Sequence, residues 1–431
     1  MAFKDNIDMV FANIVQQLVA VVIFLLVPRI LGVSNYAQTV FATTLLTFIS
    51  FADFGMSFVY GRKMPAIYAR QDPDEIVMWD TSIILFRFYT AFIFSAAIAL
   101  IYVDKYGDPI NAVCLLLIPP VSVVAQFFTA SSTSKELFSA TRNISLLQSF
   151  GRLAILPLVT ISGVRGWMVG QLVSAAVVFF RRDLRACCSQ LMAAREGINW
   201  SLIVHNIPEA IHLGLITTMW MQLLYSGRLF ASFIYPDTVI AQYGLAGSAY
   251  QVSASMMIAA FIPQTVRTYK LLEQDPAAAV NYVFSIILAA LPIMVAVVLA
   301  GCLIAPWFFG FFFPEYQIDV RLVIPLIGSL VAYPVIVTLG TLLIGTKRNK
   351  SYLAVIVAWI IIGLVLANEG ESYFGYNSAA IAQLISVSMY SITLLILVAY
   401  CFSEKIKSKW KIIIPMALIF VAMTICLYVI Q

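Results

Sequence analysis

Apolar residues run through this chain in thirteen long blocks, parted by short clusters of Gly, Pro, Asn, Asp, Lys and Arg. The blocks cover residues 7–31, 36–61, 77–103, 109–134, 144–163, 164–180, 202–227, 238–264, 280–305, 318–346, 350–367, 376–400 and 411–430. About 20 helical residues at ~1.5 Å rise cross the ~30 Å hydrocarbon core of a bilayer, so each block is predicted to span as a helix. The faintest division lies between the fifth and sixth blocks, where only Gly163 and the Arg165-Gly166 turn part them. Prolines inside the blocks (Pro119-Pro120, Pro157, Pro208, Pro263, Pro292, Pro325 and Pro334) each remove a backbone hydrogen bond and permit a bend.

Composition agrees with the pattern. Over 431 residues the chain is 62% hydrophobic and 11% charged, which excludes a soluble globular domain. The basic residues orient it, because cytoplasmic loops hold the Lys and Arg excess. With the N-terminus inside, only Lys105, Arg165, Arg228 and Arg321 fall on the outer side. Arg29, Arg87 and Arg152 lie within blocks, and the rest of the 26 Lys and Arg are cytoplasmic. The net charge of +5 is therefore a topology signal and does not point to nucleic acid. The first block exceeds a signal-peptide core and lacks an Ala-x-Ala exit, so it is expected to stay in the mature protein. No cysteine falls in an outer loop, so no disulfide framework is expected; the vicinal Cys187-Cys188 pair reads as plain juxtamembrane thiols.

Short strings recur at a nearly constant offset. Gln71-Asp72-Pro73 matches Gln274-Asp275-Pro276, Arg142-Asn143 matches Arg348-Asn349, Tyr36-Ala37 matches Tyr243-Gly244, and Gln171-Leu172-Val173-Ser174 matches Gln383-Leu384-Ile385-Ser386. The matches keep their order and their positions relative to the blocks, which is the signature of a duplicated six-helix unit. Six is even, so the two copies are parallel repeats. The expected fold is an all-α polytopic membrane protein: two parallel-repeat six-helix bundles around a central cavity, plus one extra C-terminal helix. The expected lobes are residues 1–180 and 202–402, joined by a cytoplasmic linker at 181–201 and followed by a basic loop and additional helix at 403–431. That is a transporter plan, in which one lobe rocks on the other.

Charged groups at membrane depth are kept mainly where they face a protein interior or a watery cavity. Arg87 sits about 15 Å into the third block. It calls for an anion, which is either a protein carboxylate such as Asp53 or a substrate phosphate. Arg152 in the fifth block follows the same logic. Arg29 and Arg228 lie near the outer ends of the first and seventh blocks, where snorkelling to headgroups is the simpler explanation. His205, Glu209 and His212 fall at i, i+4 and i+7 on one face of the seventh block, a stripe that suits a proton-responsive pair or a face turned to cavity water. A di-metal carboxylate bundle would need a second Glu-x-x-His, which is absent. Asn13, Gln16 and Gln17 form a polar patch on the first block, facing sugar hydroxyls or the other lobe. Gly340 to Lys347 only approximates a phosphate-binding loop, with threonine before the lysine and inside an apolar helix, so internal ATP hydrolysis is excluded.

Four strings carry a resemblance: Asn13 in the first block, Pro28-Arg29-Ile30-Leu31-Gly32 followed by Asn35-Tyr36-Ala37, Phe51-Ala52-Asp53-Phe54-Gly55, and Gln242-Tyr243-Gly244-Leu245-Ala246. Through them the chain resembles the polysaccharide and O-antigen flippases (Wzx type) of the multidrug/oligosaccharidyl-lipid/polysaccharide exporter superfamily. It departs from the family pattern at Ala37, where glycine is usual, and in its thirteenth helix, where twelve is typical. The resemblance implies movement of undecaprenyl-pyrophosphate-linked oligosaccharide from the cytoplasmic to the periplasmic leaflet of a bacterial inner membrane, driven by an H+ or Na+ gradient. On that reading Arg87, Arg152, Arg29, Arg228, Asn13 and Gln17 contact substrate, while Asp53, Glu209 and His212 couple the ion. It further implies a monomer without cofactor, working beside a polysaccharide polymerase and a chain-length regulator. Two rivals stand beside it: a drug or cation antiporter of the same superfamily, which would want more acidic groups in its cavity, and an O-antigen polymerase or glycosyltransferase, which would want a large outer loop.

Overall fold

The structure, a computed structural model, describes residues 2–135, 137–180, 197–405 and 410–429. The Cys187-Cys188 pair, most of the expected linker and the side chain of Asn13 lie outside the described residues. Every apolar block is helical over most of its length. This follows from the solvent: in hydrocarbon each backbone N–H and C=O must be satisfied within the chain, and a helix does so locally. Eight helical runs among the described residues are long and apolar enough to cross a membrane by length and composition.

The chain divides into two compact units, Met1–Thr218 and Met219–Gln431. The first holds α1 (Ala2–Thr47), α2 (Met56–Ala69), α3 (Pro73–Tyr106), α4 (Pro109–Ser134), α5 (Phe138–Leu153), α6 (Ile155–Ala176) and most of α7 (Trp200–Leu224). The second holds the end of α7, then α8 (Ser226–Ile234), α9 (Asp237–Gln274), α10 (Pro276–Phe312), α11 (Val320–Gly328), α12 (Tyr333–Gly345), α13 (Asn349–Phe374), α14 (Ser378–Cys401) and α15 (Trp410–Val429). The division thus falls inside α7, so the first half of the seventh block packs with the first unit. Ile203 and Ala210 of α7 join Tyr60, Ile83, Phe86 and Phe127 in one buried cluster. The thirteenth block, α15, packs on α10, α11 and α14 of the second unit, with Met423 and Cys426 in a cluster with Ile324, Ile381 and Leu384.

The sharpest breaks fall at glycines. Gly32 (φ 69°, ψ 174°) interrupts α1, and Gly163 (φ 58°, ψ −129°) interrupts α6 at the faint division between the fifth and sixth blocks. Both need a backbone that L side chains avoid. Prolines act more gently. Pro157 lacks the N–H that would bond the Leu153 carbonyl, and α5 gives way to α6 at Ala154. Pro334 opens α12 after the 3₁₀ turn Ser329–Ala332. The two Gln-Asp-Pro strings do the same job. The side chain of Asp72 accepts from the N–H groups of Asp74 and Glu75 at the start of α3, and Asp275 accepts from Ala277 and Ala278 at the start of α10, each with proline in the first turn.

Candidate functional site

The second block is interrupted at its centre. After α1 the chain passes through the 3₁₀ turn Phe48–Phe51, turns at Ala52 to Gly55, and restarts as α2. Asp53 holds this turn together: its Oδ1 accepts from the Gly55 N–H at 2.8 Å, and its Oδ2 from the Ser57 N–H at 3.3 Å. These are among the N–H groups that a helix start leaves without intrahelical partners, and the positive end of the helix dipole favours a carboxylate there. Phe54 sits in the left-handed region at φ 49°, an unusual state for a bulky residue, and Gly55 follows at φ 81°.

Gly55 is required for a second reason. A Cβ built on it would lie 2.0 Å from the Ala210 carbonyl oxygen of α7, and one built on Gly214 would lie 2.5 Å from the Gly55 nitrogen. The turn and α7 therefore meet backbone to backbone. Gly55→Ala is expected to cost more than about 2 kcal/mol, since left-handed strain and overlap add. It should read as a lowered Tm or loss of the monodisperse species in detergent; a wild-type Tm would contradict this close approach.

Arg87 of α3 reaches the turn. Its Nε lies 3.4 Å from Asp53 Oδ2, and both residues are buried, at 6% and 8% exposure. One terminal N–H donates to Gln126 Oε1 of α4 at 3.5 Å, whereas Nε makes no hydrogen bond at all. A guanidinium carries five N–H donors, and here the buried Nε is left without an acceptor although the Asp53 carboxylate lies beside it. The attraction between the two charges is on the order of 5 kcal/mol at an effective dielectric near 20, comparable to the several kcal/mol per ion that burial costs. Gln126 has no other amide near it in its apolar block, and a single uncharged amide, unlike the clustered Asn13, Gln16 and Gln17, carries little signal in sequence.

Seven residues before Arg87 on the same face of α3 lies Asp80, also buried. The Tyr60 hydroxyl donates to its Oδ1 at 2.6 Å, and Lys135 Nζ donates to its Oδ2 at 2.7 Å. Nearby Lys63 donates to Asn206 of α7 at 2.6 Å, and Arg62 pairs with Glu209. Sequence counted Lys135, Arg62 and Lys63 only as loop cations; the structure gives each an anionic or amide partner on another helix. The spacing of Asp80 from Arg87 was the available sign of this second cluster.

The remaining candidates are dispersed. Glu209 is taken up by Arg62, and His212 Nδ1 lies 2.7 Å from the Pro208 carbonyl of its own helix. His205 is exposed. None of the described hydrogen bonds or ion pairs joins Glu209 or His212 to Asp53. Arg152 is half-buried at the end of α5, with no ion-pair partner among the described residues. Gln17 is half-buried on α1 and Arg29 is exposed. Arg228 departs from the snorkelling expected of it: it is 7% exposed within the second unit, its Cδ packed where a Cβ on Gly247 would lie 3.3 Å away. Burial on the short helix α8, with Phe230 and Ala231 also inside, is what keeps it from the surface. Among the described residues no group of three or more His, Cys, Asp or Glu is placed to hold a metal ion.

Solved structures resemble this fold end to end. A lipid II flippase, MurJ, in an inward-closed conformation superposes with a TM-score of 0.64 at 15% identity, covering 99% of this chain and 98% of that one. A multidrug-resistance MATE family transporter of the MOP superfamily, inward-facing, gives 0.60 at 16% identity over 92% and 99%. A eukaryotic MATE transporter, AtDTX14, gives 0.57 at 15% identity over 97% and 96%. No protein-family model matches the chain, and no curated protein matches it significantly. The chain is a multi-pass, all-α membrane protein with the fold of MOP-superfamily transporters. At these identities the likeness is one of fold.

Proposed function

We propose that this chain is a flippase for undecaprenyl-pyrophosphate-linked oligosaccharide, moving it across a bacterial inner membrane from the cytoplasmic to the periplasmic leaflet by ion-gradient-driven alternating access. The observation that carries the reading is Arg87: a buried guanidinium, its Nε without a hydrogen bond, held beside a carboxylate that two backbone N–H groups already occupy. A pyrophosphate supplies the missing acceptors and outcompetes Asp53 for the cation. Asp53 then serves as the resident anion of the empty transporter, and its return to Arg87 helps expel the cargo. Arg152 and the polar patch of Asn13 and Gln17 are the further candidates for the sugar and phosphate, and the positive-inside pattern sets the N-terminus in the cytoplasm.

A second reading, antiport of drugs or cations, draws on Asp53 as a buried carboxylate and on the MATE structures that share the fold. One experiment separates them. Protein reconstituted into liposomes is expected to move a fluorescent polyprenyl-pyrophosphate-linked sugar between leaflets, scored by its accessibility to an added quencher, and to leave a lipophilic cationic dye where it is. Dye movement with a static lipid-linked sugar would favour the antiporter.

A further inference from the structure

Beside the Asp53 turn lies a cleft of about 380 Å³, bordered by Phe51, Phe54, Phe94, Ile211 and Leu215, with the backbone of Gly55 and Gly214 alongside. Ligand pockets range over ~300–1,000 Å³, so the space is of binding size. Its lining is almost entirely apolar. The one polar side chain at its border, Ser50, donates its hydroxyl to the Thr47 carbonyl at 2.8 Å. Nothing there asks for a sugar, a phosphate or an ion.

The cleft is joined to the charged site through one residue. Phe54 follows Asp53 directly, and its ring stands 6.3 Å from Phe86 and 6.2 Å from Phe94. Phe86 in turn precedes Arg87. The left-handed backbone of Phe54 sends the ring into the cleft while Asp53 turns toward Arg87, so one strained dipeptide borders both places.

We infer that this cleft holds the first isoprenoid units of a polyprenyl pyrophosphate whose phosphates sit on Arg87. The inference rests on the flippase reading of Arg87 and adds a tail subsite to it. The first carbons of the lipid are covalently bound to the pyrophosphate, so when the phosphates reach Arg87 those carbons must lie at the same depth, within reach of the guanidinium. An apolar cleft beside a cation short of acceptors is the complement of that amphiphile. Burying those carbons here also spares the tail from the polar path that the sugar needs.

The probes are inorganic pyrophosphate, isopentenyl pyrophosphate, farnesyl pyrophosphate and farnesol, with affinity measured on the full-length protein in nanodiscs. Wild type is expected to bind farnesyl pyrophosphate at least tenfold more tightly than isopentenyl pyrophosphate. Ile211→Trp, which fills the cleft, is expected to erase that preference while inorganic pyrophosphate affinity stays within twofold. A wild-type preference in folded Ile211→Trp would overturn the tail subsite and leave the Arg87 reading standing. If that variant does not yield monodisperse protein, Phe94→Ala enlarges the cleft instead. It should shift the preferred chain from C15 toward C20, and an unchanged chain-length profile would overturn the inference. Failure of the Arg87 reading looks different: inorganic pyrophosphate would then bind equally to wild type and Arg87→Ala, while farnesol would still compete in an Ile211-dependent manner.

Discussion

Arg87→Ala is expected to lower the rate of lipid-linked sugar movement at least 100-fold while the protein stays folded. A pyrophosphate on this guanidinium would make two or more charge-assisted hydrogen bonds, each worth about 1.5–3 kcal/mol, and alanine removes them all. Asp53 would lose its cation but keep the N–H groups of Gly55 and Ser57, so the carboxylate left behind is not bare. That is why the loss should fall on transport more than on stability. Arg87→Lys keeps the charge and surrenders the planar fork, and is expected to retain a measurable fraction of the rate. The check is initial rate in liposomes against Tm in detergent for the three proteins. An Arg87→Ala protein with near wild-type rate would remove Arg87 from the substrate path.

Asp53→Asn should behave in the opposite sense on binding. The single oxygen of asparagine can still accept from the Gly55 N–H, while its NH2 cannot replace the longer bond from the Ser57 N–H, so the turn keeps the shorter of its two ties and the charge that competes for Arg87 is gone. The account predicts tighter pyrophosphate binding, by about tenfold for a 1.4 kcal/mol change, together with slower turnover because nothing returns to Arg87 to release the cargo. KM and kcat measured in the same liposomes would both fall. A rise in KM would instead show that Asp53 helps hold the substrate and does not compete with it.

Much of this architecture was legible in the sequence because a bilayer leaves few options. The thirteen apolar blocks follow from length and hydropathy, and Gly163 marked the one faint helix boundary by its residue type alone. The pairing of Arg87 with Asp53 was also within reach, since both sit at mid-membrane depth where an unpaired charge is costly. Other features needed three dimensions. In the sequence Asp53 reads as a charge within a continuous spanning helix, yet the helix stops there and the carboxylate ties its restart; the Asp53-Phe54-Gly55 string is a turn whose glycine makes room for Gly214, 159 positions away in the numbering. Asp80 lies near the start of its block, where an acidic residue passes as a helix-end charge. Arg228 looked like an interfacial anchor because hydropathy measures distance along the chain and is silent about which side of a helix meets protein.

On the proposed reading the cargo is a lipid-linked pyrophosphate oligosaccharide crossing toward the outer leaflet. The most direct measurement is the sidedness of such lipids in cells that lack this chain, with the gene restored as wild type or as Arg87→Ala. The account predicts that lipid-linked oligosaccharides accumulate on the cytoplasmic leaflet of the deletion strain, that wild type clears them, and that Arg87→Ala does not. Unchanged lipid-linked intermediates on deletion, or full clearance by Arg87→Ala, would contradict it.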